Sequence, residues 1–142
     1  MGMLTDIFVA TKADARKYEE RLVSEKIDID AIYPRASHKG ITGIDLSILF
    51  ASLLQEPLSG KHLFKVVSSS TDDGITEALP QQLVSILGDL PEGKVAEVST
   101  SWSEHPEVRL ASTELASLLL DLRSLASKAI SAKKQLFVWY CP

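Results

Sequence analysis

Hydrophobic and polar positions change period several times along this chain, and each change marks an element. Thr5-Asp6-Ile7-Phe8-Val9-Ala10 is a short β-branched and aromatic run that predicts a first strand. Thr11 then offers an N-cap to a helix from Lys12 to about Ser24, with Ala13, Ala15, Tyr18 and Leu22 at partial apolar spacing and a charged face opposite. Residues 27–33, Ile-Asp-Ile-Asp-Ala-Ile-Tyr, alternate apolar with acidic in their first half, which suits an edge strand or an extended connection stopped by Pro34. Arg35 to Gly43 reads as a loop. Thr42 and Asp45 then make a near-capping box for a helix reaching about Gln55. Ile44, Ile48, Leu49, Phe50, Ala51, Leu53 and Leu54 cover most of its circumference, which predicts burial on most sides.

Leu63 to Val67 is a further strand, followed by the polar loop Ser-Ser-Ser-Thr-Asp-Asp-Gly. A helix over roughly 76–87 is expected next, with Pro80 in or before its first turn and Gly88 as its C-cap. Residues 91–104 fit two periods: Val95, Val98 and Trp102 have helical spacing, while Ala-Glu-Val-Ser-Thr-Ser-Trp also alternates. Pro91-Glu92 reads as a helix start and tips the reading to helix. Residues 113–132 give the clearest helix, because Glu114, Ser117, Asp121, Ser124, Lys128 and Ser131 form a single polar stripe opposite Leu115, Leu118, Leu119, Leu122, Leu125, Ala126, Ala129 and Ile130. Lys133 and Lys134 close it with charges favourable to a helix C-terminus. Leu136 to Cys141 is a buried terminal strand, expected to pair with 5–10 or 63–67. The fold class is therefore α+β: a single domain over 1–142, with a small mixed sheet of three to four strands including both chain ends, packed with four to five helices.

Composition narrows the function classes. At 142 residues, 45% hydrophobic and 24% charged, the chain is an ordinary globular length and mixture. A net charge of −4 argues against nucleic acid. One cysteine, Cys141, permits no internal disulfide and points to a reducing compartment. The start places Asp6 inside its apolar stretch and lacks a basic n-region, and no window is long and apolar enough to span a bilayer; a cytoplasmic location with no membrane partner is expected. His38, His62 and His105 stand apart, without His-x-x-x-His or paired cysteines, so no metal is expected. No P-loop and no Gly-x-Ser-x-Gly elbow is present, and no cofactor is expected.

Several pieces taken in order carry a resemblance: Met-Gly-Met at the start, His38-Lys39-Gly40-Ile41-Thr42-Gly43 before a helix, and Leu115 to Ala126 followed by an apolar terminal strand. In these the chain resembles the YfbM-like family of bacterial proteins, a domain of unknown function. The resemblance covers about half the chain and leaves Ser101 to Glu107 unmatched. It implies a small α+β bacterial cytosolic protein and carries over no catalytic residue.

Two clusters can bear chemistry. Arg35, His38, Lys39, Gly40 and Thr42 crowd a segment running into a helix N-terminus, where free N–H groups and two nearby cations suit a phosphate or carboxylate. The plainer reading is a turn made by Gly40 and Gly43 with Thr42 as the cap. Trp102, Glu104 and His105 form the second cluster, as a pocket wall beside a tuned acid/base group, or more plainly as a core tryptophan at a solvated helix end. Charge is also uneven. Asp72, Asp73, Glu77, Asp89, Glu92, Glu97, Glu104 and Glu107 face only Lys94 within 72–107, whereas Arg123, Lys128, Lys133 and Lys134 are the only charges after Leu122. The leading expectation is a non-catalytic binding or protein-interaction domain whose acidic 72–107 surface meets a basic protein partner. The alternatives are an anionic-ligand or enzymatic site at 35–45, and self-association of the chain as a homo-oligomer.

Overall fold

A computed structural model describes residues 4–69 and 74–141. The strands are β1 (Leu4–Ala10), β2 (Arg35–Lys39), β3 (Lys65–Ser69), β4 (Ile75–Ala78) and β5 (Gln135–Cys141), and they form one sheet in the order β2-β1-β5-β4-β3. Every pairing is antiparallel. The α+β class and the inclusion of both end strands hold; among the described residues the sheet has five strands rather than three or four, and it is antiparallel rather than mixed. β5 lies at its centre. It pairs with β1 from Leu4↔Cys141 to Ala10↔Gln135, and on its other side with β4 rather than with β3.

Seven helices are present among the described residues: α1 (Lys12–Ala15), α2 (Tyr18–Leu22), α3 (Ile29–Ile32), α4 (Gly43–Leu53), α5 (Gln81–Asp89), α6 (Val95–Ser103) and α7 (Ser112–Ala132). Side-chain alternation gives the sheet two unlike faces. Ile7, Val9, Leu136 and Val138 face α4 to α7 in an aliphatic core with Leu46, Leu49, Leu83, Leu87, Leu115, Leu119 and Leu122. Phe8, Phe137 and Trp139 face α1 to α3 in a smaller aromatic core with Tyr18, Tyr33 and Ile29.

Five local expectations are corrected. Residues 27–33 are no strand: the Asp28 side chain accepts from Asp30 N at 3.2 Å and starts the single turn of α3. The 35–43 loop contains β2, an edge strand whose register runs from Leu4↔Lys39 to Phe8↔Arg35. The helix placed at 76–87 begins only at Gln81, since Ile75 to Ala78 form β4, and Pro80 is the residue before its first turn. Gly88 lies inside α5 instead of capping it, and its lack of a side chain serves packing, since a Cβ there would stand 2.7 Å from Ile130 Cδ1 on α7. The single helix expected over 12–24 is split after Ala15, and the split lays Tyr18 flat on Phe8, with ring centroids 3.9 Å apart. The helical reading of 95–103, the Thr42 capping box, the Thr11 cap and the long helix α7 agree with the structure. Ile130, expected to face protein, is instead 46% exposed.

Candidate functional site

The first cluster is dispersed by strand geometry. Alternation along β2 sends Arg35 and Lys39 to the aromatic face and His38 to the opposite one. The Arg35 guanidinium binds Asp6 Oδ2 at 3.2 Å and Asp30 Oδ1 at 2.8 Å, so its charge is already matched. His38 Nε2 meets Asp121 Oδ2 of α7 at 2.8 Å. Gly40 takes a left-handed φ of 77° at the turn beyond β2. Thr42 is occupied as the cap: its Oγ1 accepts from Asp45 N at 3.3 Å, and its own N–H donates to Asp45 Oδ2 at 3.0 Å. Burial raises the Asp45 carboxyl against these stabilising contacts. Arg35, His38 and Thr42 therefore do not converge on one ligand.

The second cluster behaves differently. Trp102 is fully buried, as its plainer reading has it, and its Nε1 donates to Asp45 O at 3.0 Å, which fixes α6 across α4. The same ring lines a groove of about 470 Å³ between the C-terminal halves of the two helices. Ile48, Ala51, Pro57 and Leu58 continue its apolar lining, and Leu58 is 40% exposed. Glu56, Glu104 and His105 also line it. His105 Nδ1 accepts from Glu107 N at 3.1 Å, which leaves the proton of the neutral ring on Nε2.

Sequence reasoning missed Glu56 and its neighbours. Its Oε2 binds Lys61 Nζ at 2.6 Å and His62 Nε2 at 2.9 Å, and these two partners hold its carboxyl below the ordinary value. His62 is itself fully buried, edge-on to Phe50 with centroids 5.4 Å apart, and its Nδ1 accepts from Ser59 N at 3.0 Å. This arrangement closes the turn after α4 and holds Glu56 at one wall of the groove. The signal available in sequence was weak, since Glu56-Pro57 reads only as a helix stop.

The acidic stretch is partly at the surface. Asp89, Glu92, Glu97, Glu104 and Glu107 are exposed on and around α6, with Lys94 bound to Glu97 at 3.3 Å. Asp72 and Asp73 lie outside the described residues. Glu77 is half-buried on β4: Tyr140 hydrogen-bonds to it, a Cβ at position 43 would collide with it, and its Oε1 is enclosed without a hydrogen-bond partner among the described residues. Desolvation raises its carboxyl and pushes Tyr140 up to about 12. Among the described residues no group of three or more His, Cys, Asp or Glu side chains is placed to hold a metal ion, and no helix is long and apolar enough to cross a membrane. No family model, curated protein or solved structure matches this chain.

Proposed function

We propose that this protein is a non-catalytic interaction module whose groove between α4 and α6 receives a basic, apolar-faced segment of a partner protein. The observation that carries this reading is the pairing of an apolar groove, built on Ile48, Ala51, Leu58 and Trp102, with the exposed Glu104 carboxylate along it, Glu56 being already bound to Lys61 and His62. An apolar floor supplies affinity by burial, and charge at the rim selects the partner and speeds encounter. Exposed Glu107 extends the same sign of charge beyond the groove. A segment alternating leucine or tyrosine with lysine or arginine matches both features.

Calorimetric titration with such a peptide tests the reading. Saturable binding is expected, weakening as salt is raised because the contributing charges are solvent-exposed. Glu104→Lys is expected to reduce affinity about tenfold, equivalent to about 1.4 kcal/mol. Absence of binding, or binding indifferent to both salt and Glu104→Lys, overturns it.

A further inference from the structure

We infer that the aromatic face of the sheet carries a second site, separate from the α4–α6 groove, for a small carboxylic acid with an apolar body. Cross-strand rows define it. Trp139, Asp6 and Ser37 lie side by side across β5, β1 and β2, and Leu4 stands beside Lys39 in the next row. Helices α1 to α3 cover the rows around Phe8, where Tyr18 stacks on it at 3.9 Å and Tyr33 packs edge-on at 5.4 Å. Leu22, the last residue of α2, borders the part of this face that stays open. Beyond it a cavity of about 410 Å³ remains, lined by Leu4, Leu22, Trp139, Asp6, Ser37 and Lys39 together with His38.

Its chemistry distinguishes an acid from an amine. Asp6 is the buried charge, with 8% of its side chain exposed, and it is fully engaged. Tyr18 Oη donates to its Oδ2 at 2.6 Å, Ser37 Oγ donates to its Oδ1 at 2.6 Å, and Arg35 binds Oδ2 at 3.2 Å. A carboxylate so satisfied offers nothing to an incoming cation. The Tyr18 hydroxyl is pushed up by burial and by Asp6, so it stays a donor throughout the working range. Lys39, by contrast, has no carboxylate within ion-pair distance among the described residues. The cavity thus combines one cation unpaired among the described residues with apolar walls, where Leu4 remains 52% exposed and the Trp139 ring is held by its Nε1 donating to Glu19 Oε1 at 3.0 Å. A ligand of this size with a flat or chain-like apolar body against Trp139 and Leu22 places its carboxylate at Lys39.

Naphthalene-2-carboxylate is the probe, followed through the two tryptophan indole N–H signals in a ¹H–¹⁵N spectrum of the full chain. The Trp139 signal is expected to shift saturably while that of Trp102 stays in place. Lys39→Ala is expected to weaken binding about tenfold and Lys39→Arg to retain it, and the neutral 2-naphthamide should bind about tenfold more weakly than the acid. Lys39 is an exposed edge-strand residue, so these variants keep the fold, which an unchanged thermal midpoint verifies. Failure to saturate at millimolar probe, equal affinity for acid and amide, or a response at Trp102 alone overturns the inference. None of these outcomes bears on peptide binding at Glu104, so the two readings fail separately.

Discussion

On one side of the sheet, Leu46, Leu49, Leu115, Leu118, Leu119 and Leu122 fill the space beneath α4 to α7 with branched aliphatic side chains. On the other, Phe8, Tyr18, Tyr33 and Trp139 fill the space beneath α1 to α3, and a buried Asp6 ties Tyr18, Ser37 and Arg35 together. The aliphatic side draws its stability from area removed from water, which is tolerant of how each side chain is turned. The aromatic side depends on ring geometry and on a polar network that loses heavily if one member goes. The difference shows in the cavities. On the aliphatic side the groove opens only at the outer edge, between two helices already locked by Trp102. On the aromatic side three short helices, of four, five and four residues, leave part of the sheet uncovered.

β5 is the wall both sides share, so deleting it should abolish the distinction altogether. A chain ending at Gln135 is expected to show no cooperative unfolding transition by circular dichroism; a folded truncation would refute the placement of β5 at the sheet centre. Next in size, Asp6→Ala should cost about 3–5 kcal/mol in urea unfolding, because it leaves the buried Tyr18 hydroxyl without its acceptor and takes from the half-buried Arg35 one of its two carboxylates. Leu119→Ala on the aliphatic side should cost about 2–5 kcal/mol through lost burial and a residual cavity. The two sides then separate by coupling. Tyr18→Phe should cost about 1–3 kcal/mol alone and little once Asp6 is already alanine, whereas Tyr18→Phe and Leu119→Ala should add.

The smallest effect is a pH dependence that belongs to the aliphatic face. Burial keeps the Glu77 proton to higher pH in the folded chain than in the unfolded one. Its contribution is therefore fully present below the ordinary carboxylate range and is lost as pH rises through the raised value. Thermal midpoints measured across that window should fall less steeply with rising pH in Glu77→Gln than in the parent chain.

This contrast also explains which parts of the chain were legible. α7 and α4 could be read because one polar stripe and one capping box report directly on an aliphatic core. β5 could be read because a central strand buried on both faces is an apolar run. β2 could not, since Arg35, Ser37 and His38 are polar residues whose partners, Asp6 and Asp121, are distant in sequence. β4 hid for the same reason: Thr76 is buried and Glu77 half-buried, and neither marks a strand interior by type. The Asp28 cap was outweighed by the alternation around it. Of the candidate residues, Trp102, Glu104 and His105 were found together because α6 brings neighbours in sequence to one groove wall, while Glu56 enters from α4 and left no local signature. The Arg35, His38 and Thr42 grouping failed because adjacency in a strand is opposition in space.

The measurement that bears most directly on the acid-rimmed groove as an interaction site is amide chemical-shift mapping during titration with an alternating leucine–lysine peptide. Saturable shifts are expected, confined to Ser52, Leu58, Ser101, Glu104 and His105 and their immediate neighbours, and fading as salt is raised. Shifts centred elsewhere on the molecule, or none at peptide concentrations that saturate by calorimetry, would contradict it.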